Sequence, residues 1–142
     1  MNKILFIPLI AGAIAQILKI FFNKNQNYTI KSILVAYSGM PSAHSAIVIS
    51  LAAITGLVDY SSPIFAISVI FAFMTIRDAL GIRRYLGQHG KMLNELIKDL
   101  GNDNVLDQKY PHLLENIGHT PLQVLAGSII GFVVGLIGYY YL

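Results

Sequence analysis

The chain has 142 residues, 55% of them hydrophobic and only 12% charged, with a net charge of +3 and no cysteine. An ordinary soluble domain carries about 25% charged residues, so a water-soluble enzyme is excluded. The missing cysteine rules out disulfides, thiolate metal sites and a lipoprotein anchor. What remains is an integral membrane protein with a single domain over residues 1–142.

Residues 4–22 are apolar apart from Gln16 and Lys19, and as a helix they would reach about 28 Å, close to the hydrocarbon thickness. Lys3 with Ala13-Ile14-Ala15 imitates a cleavable signal, but Ile20-Phe21-Phe22 continues the apolar run to a full span. Lys19 at its end either snorkels to the interface or offers its charge to an anion. A polar turn and a short interfacial helix over 28–35 follow. Residues 43–58 and 63–80 then form a helical hairpin, with turn chemistry at Asp59-Tyr60-Ser61-Ser62 between them.

Residues 81–118 are the one sizeable water-facing region. In it Met92, Leu93, Leu96, Ile97 and Leu100 mark one face of an amphipathic helix, and Lys91, Asn94, Glu95, Lys98 and Asp99 mark the other. Gly101 closes that helix, a polar loop covers 102–108, and one or two helical turns over 111–117 stop at Gly118. Thr120 is the N-cap and Pro121 the first residue of the last span, 121–142. Gly127, Gly131 and Gly135 recur in it every fourth position and form a groove for packing within the molecule.

The expected fold is therefore an all-α integral membrane helix bundle. It has about four transmembrane helices plus short interfacial and cytoplasmic amphipathic helices. Apart from Lys3, the Lys and Arg residues fall on one side of this layout, which makes that side cytoplasmic, in an inner or plasma membrane. The positive charge then reflects topology and anionic headgroups rather than nucleic acid. The short middle spans point to local bilayer thinning or to a homodimer.

Two segments open spans on that cytoplasmic side with a histidine: Gly39-Met40-Pro41-Ser42-Ala43-His44-Ser45 and Gly118-His119-Thr120-Pro121. A phosphoryl group needs positive charge, N–H donors, an attacking atom and an acid for the leaving oxygen. Ser42 as N-cap leaves the N–H groups of Ala43 and His44 open at a helix N-terminus, and Gly39 permits close backbone approach. Arg83 and Arg84 follow the third span, Asp78 is placed to hold one of them, and Lys19 adds a charge. His89 and His112 lack such surroundings. No metal is expected, because no histidines stand at helical i,i+4 spacing and no thiolate helps.

The ordered set resembles the divergent small membrane branch of the type 2 phosphatidic acid phosphatase and vanadium haloperoxidase superfamily. It runs Ala15-Gln16-Ile17-Leu18-Lys19, then Gly39 to Ser45, then Asp78-Ala79-Leu80-Gly81-Ile82-Arg83-Arg84, and last Gly118-His119-Thr120-Pro121 with Val124 and Gly127. The resemblance implies that His44 is the general acid and His119 the nucleophile that becomes a phosphohistidine. Lys19, Gly39, Ser42 and one of Arg83 or Arg84 would hold the phosphate without cofactor or metal. Two positions depart from the superfamily: Leu113 stands where it has arginine, and Gln123 where it has the carboxylate that orients the nucleophile.

The leading reading is a metal-independent phosphatase that hydrolyses a lipid phosphate or an isoprenoid phosphate or diphosphate. The second is a catalytically weak relative that binds phosphorylated lipid or scaffolds partners, with Gln123 as its best support. A small transporter or channel subunit comes third, without the inverted repeats such proteins carry.

Overall fold

The computed structural model describes residues 3–22, 39–100 and 112–141, all of its regular structure being helical. The helices are α1 (Lys3–Phe22), α2 (Ala43–Asp59), α3 (Pro63–Leu80), α4 (Ile82–Leu100) and α5 (Pro121–Tyr141). Helices α1, α3 and α5 are long and apolar enough to cross a membrane, and α2 is a shorter apolar helix. This is a membrane helix bundle. The interfacial helix expected over 28–35 lies outside the described residues.

Local chemistry sets most helix starts. Ser42 caps α2, its Oγ accepting from the Ser45 N–H, and Ser62 caps α3 by accepting from Phe65 with Pro63 in the first turn. At α5 the cap is reciprocal: Thr120 N–H donates to Gln123 Oε1 at 2.9 Å, and Gln123 N–H donates to Thr120 Oγ1 at 3.3 Å.

Helix α2 sits in the middle, packed against α1, α3 and α5. Small residues make this contact close: Ala11, Ala15, Ala43 and Ala46 form the core, with Ile130 and Val134 against it. A Cβ at Gly127 would collide with the Ser42 carbonyl, and one at Gly131 with the Ala46 carbonyl. The α5 glycines therefore serve packing inside the molecule, which in a membrane replaces the missing hydrophobic drive between helices. Lys3 Nζ donates to the Tyr139 carbonyl at 3.5 Å, so the start of α1 and the end of α5 share one end of the bundle. The opposite end holds the end of α1 and the starts of α2 and α5.

Helix α3 ends at Gly81, and α4 begins one residue later. The segment 112–117 is not helical, contrary to the turns expected there. The cause is a sheet-like pairing with the side chain of Asn94: Leu113 N–H donates to Asn94 Oδ1 at 3.0 Å, and Asn94 Nδ2 donates to the Leu113 carbonyl at 2.9 Å and to Glu115 Oε1 at 2.9 Å. Gly87 and Gly90, on the same face of α4, leave no room for a Cβ against the carbonyls of Glu115 and Leu114. The strand-like run therefore lies directly on the α4 backbone and delivers Gly118 and His119 to the bundle.

Candidate functional site

Two backbone hydrogen bonds assemble the end of the bundle where the histidines lie. His119 N–H donates to the Ala79 carbonyl at 3.1 Å, and Ser42 N–H donates to the Gln123 carbonyl at 3.0 Å. The first fastens the start of α5 to the last turn of α3, and the second fastens it to the cap of α2. Gly118 makes the junction possible: its φ of 94° suits glycine, and a Cβ there would strike the backbone of Arg83 and Arg84. Gly39 has a positive φ of 119° as well, turning the chain into the Pro41-Ser42 corner.

The result brings together rings 75 positions apart in the chain: the centroids of His44 and His119 are 6.3 Å apart, tilted by 48°. His44 is exposed, whereas His119 is only 5% exposed and its Nδ1 has no hydrogen-bond partner among the described residues. Burial pushes the His119 ring down to about 4, with the charge of Lys19, the neighbouring His44 and the charge of Arg83 acting in the same direction, while the Gln123 amide opposes them. His119 is therefore a neutral imidazole at neutral pH.

Lys19 is 4% exposed. It does not snorkel. Among the described residues it makes neither a hydrogen bond nor an ion pair, and its charge acts on the His119 ring. A buried ammonium with no counter-charge is costly unless an anion joins it.

The two arginines separate. Arg83 Nε donates to Asp78 Oδ2 at 2.6 Å, which fixes its guanidinium at the turn between α3 and α4, where its charge reaches both His44 and His119. Arg84 lines an open cleft of about 400 Å³ with Gly87, Gln88, Lys91, Glu115 and Asn116, which His119 also lines. Ser42 is wholly buried and its hydroxyl accepts from both the N–H and the hydroxyl of Ser45, so it shapes the corner. Gln123 acts on the His119 ring through a side-chain hydrogen bond, and its oxygen also accepts from Thr120 N–H.

Sequence reasoning gave no role to Gly87, Gly90 and Asn94, which carry the segment leading to His119. Their signal is two glycines at i,i+3 followed by an amide at i+7 within a helical pattern. No three His, Asp or Glu side chains come together as a metal site among the described residues.

The site thus belongs to a membrane helix bundle with two convergent imidazoles, a buried lysine and a carboxylate-fixed arginine at one end. The chain matches the Divergent PAP2 family over residues 1–134 and belongs to it. It is 34% identical over 122 residues to the uncharacterized membrane protein YuiD of Bacillus subtilis (strain 168), covering 78% of this chain and 76% of that protein. No solved structure matches.

Proposed function

We propose that the protein is a membrane phosphatase acting on a lipid phosphate or isoprenoid phosphate from the cytoplasmic leaflet, with protein cations in place of a metal. The observation that carries this reading is Lys19: a buried lysine with no counter-charge among the described residues, acting on one of two facing imidazoles, is an arrangement suited to an anion. Membership of a phosphatase-related family points the same way.

In the first step neutral His119 attacks phosphorus through the ring nitrogen that carries no proton. The bond from phosphorus to the lipid oxygen breaks, and protonated His44 gives its proton to that oxygen. Lys19 and Arg83 balance the charge on the equatorial oxygens. In the second step water attacks the phosphohistidine while neutral His44 takes its proton, the P–N bond breaks and phosphate leaves. Asp78 keeps Arg83 in place, and Ser42 and Gly39 set the corner from which His44 projects.

A second reading, a phosphorylated-lipid binder without turnover, is favoured by one detail. The group placed to orient His119 is an amide and not a carboxylate, and its oxygen is shared with the Thr120 cap. Phosphate release from a panel of lipid phosphates in detergent, with vanadate binding measured alongside, separates the two. The phosphatase releases phosphate and loses both turnover and vanadate in His119→Ala. Lipid-phosphate affinity that survives His119→Ala, with no release by the wild type, establishes the binder.

A further inference from the structure

The reading above uses His44, His119, Lys19 and Arg83, and leaves two cations beside His119 without a task. Arg84 and Lys91 line the adjoining cleft with the amides of Gln88, Asn116 and Gln123. Its carboxylate, Glu115, is occupied: Oε1 accepts from Asn94 Nδ2 at 2.9 Å and lies 3.7 Å from His112 Nε2. Lys91 has only a loose contact of 3.8 Å with exposed Glu95, and Arg84 has no ion pair or hydrogen bond among the described residues. The cleft wall is thus two cations and one hydrogen-bonded carboxylate among amide side chains, a net positive lining. It opens on the ring proposed as nucleophile, and at about 400 Å³ it has room for a polar group of headgroup size.

We infer that this cleft binds a second anionic group of the substrate, so that the preferred substrate carries another phosphate next to the one attacked. This rests on the phosphatase reading. A guanidinium and an ammonium group on an open wall are suited to phosphate oxygens, and the exposed Glu95 contact of Lys91 is weak enough to exchange for one. A substrate with a single phosphate would leave both of them idle.

The test is calorimetric titration of the detergent-solubilised full chain with orthophosphate and with inorganic diphosphate, for wild type, Arg84→Gln/Lys91→Gln and His119→Ala. The wild type should bind diphosphate at least about tenfold more tightly, the effect of one added charge-assisted contact, and the double variant should bring the ratio to about one. A wild-type ratio near one, or a ratio unchanged in the double variant, overturns the second subsite. Orthophosphate binding that is absent, or indifferent to His119→Ala, overturns the phosphatase reading instead, whatever the diphosphate ratio.

A separate observation concerns α4. Ile82, Tyr85, Leu86, Met92, Leu93 and Leu96 recur at i, i+3, i+4 spacing and are 48% to 66% exposed. The face bearing Gly87, Gly90 and Asn94 is covered by 112–117, and the face bearing Arg84 and Lys91 lines the cleft, so this apolar stripe is a third face, uncovered among the described residues. Only Gly81 separates it from α3, whose Ile67, Ile70, Phe71, Phe73 and Met74 are equally exposed along a membrane-spanning helix. We propose that the stripe rests on the bilayer surface as a continuation of that lipid-facing band, turning the cleft toward water. The polar face opposite the stripe carries Lys98, the basic character expected of a helix that lies on anionic lipid.

The chain has no tryptophan, so single introduced tryptophans report cleanly. In vesicles of phosphatidylglycerol and phosphatidylcholine, Leu93→Trp should emit in the blue and be quenched by lipids brominated high on the acyl chain. Lys98→Trp should be quenched by iodide. Equal iodide quenching of both places α4 off the membrane and overturns the proposal. Shielding of Leu93→Trp from iodide and brominated lipid alike means that protein covers the stripe, and overturns it too.

Discussion

Replacing Lys19 by methionine should make the protein more stable and less able to bind phosphate, a combination that only a site residue produces. Lys19 is 4% exposed and has no counter-charge among the described residues, whereas methionine keeps the length of the stem without the ammonium. Removing a buried charge in favour of an apolar side chain of similar volume commonly stabilises by about 1–4 kcal/mol. Taking about 2 kcal/mol, and roughly 2–4 °C per kcal/mol for a chain of this size, Tm should rise by roughly 4–8 °C. The His119 ring should titrate higher, since the charge of Lys19 is the largest influence after burial holding it at about 4. Vanadate should bind roughly tenfold to a hundredfold more weakly, the loss of one hydrogen bond to a charged group. Thermal melts, imidazole NMR titration and vanadate binding on the same sample read all three. A fall in Tm of several degrees with vanadate affinity intact would refute the reasoning, because it would make Lys19 a partnered structural residue.

Four further outcomes follow. His119 is neutral from neutral pH down to about pH 4, so the acid limb of kcat/KM should lie near pH 4. The unfolded chain takes up that proton near pH 6.5 and the folded ring does not, so stability should fall by about 3 kcal/mol as pH drops from about 6.5 to about 4. Denaturation at the two pH values, compared with His119→Gln, isolates this contribution. Gln123→Glu keeps the reciprocal cap with Thr120, since glutamate serves that position as well as glutamine, and adds a carboxylate beside the ring; turnover should rise at unchanged Tm, and no gain would remove residue 123 from the nucleophile's support. Gly131→Ala drives a methyl into the Ala46 carbonyl and should cost about 1–3 kcal/mol, as overpacking does, with activity lost in proportion because α2 and α5 carry the two histidines.

The parts of this architecture that were legible in the sequence are those decided within a few residues. Ser42, Ser62 and Thr120 cap their helices because each precedes an apolar run with its backbone donors open, and hydrophobic length marks the spans. Asp78 could be matched to an arginine because both lie on one short stretch. Whether that arginine is Arg83 or Arg84 could not be read, since neighbouring helical residues point about 100° apart and only the break at Gly81 fixes which one faces the histidines. The segment 112–117 was misread for a similar reason. Its own residues allow helical turns, and what holds it extended is a side-chain amide at Asn94 and two glycines on α4.

Lys19 is the sharpest case, because the sequence did hold the answer in a pattern rather than in the residue. Taken alone, a lysine at the end of a span is expected to snorkel. Yet Ile7, Ala11, Ala15 and Lys19 follow one another at four-residue steps, and all four are buried. Alanines at such steps mark the face on which membrane helices approach closely, so the lysine that continues the row must point into the bundle and not toward lipid. A charge carried inward by a packing face, with no counter-charge among the described residues, raises the energy of the protein. On the proposed reading a bound anion offsets that cost, so removing the lysine should favour the fold at the expense of binding.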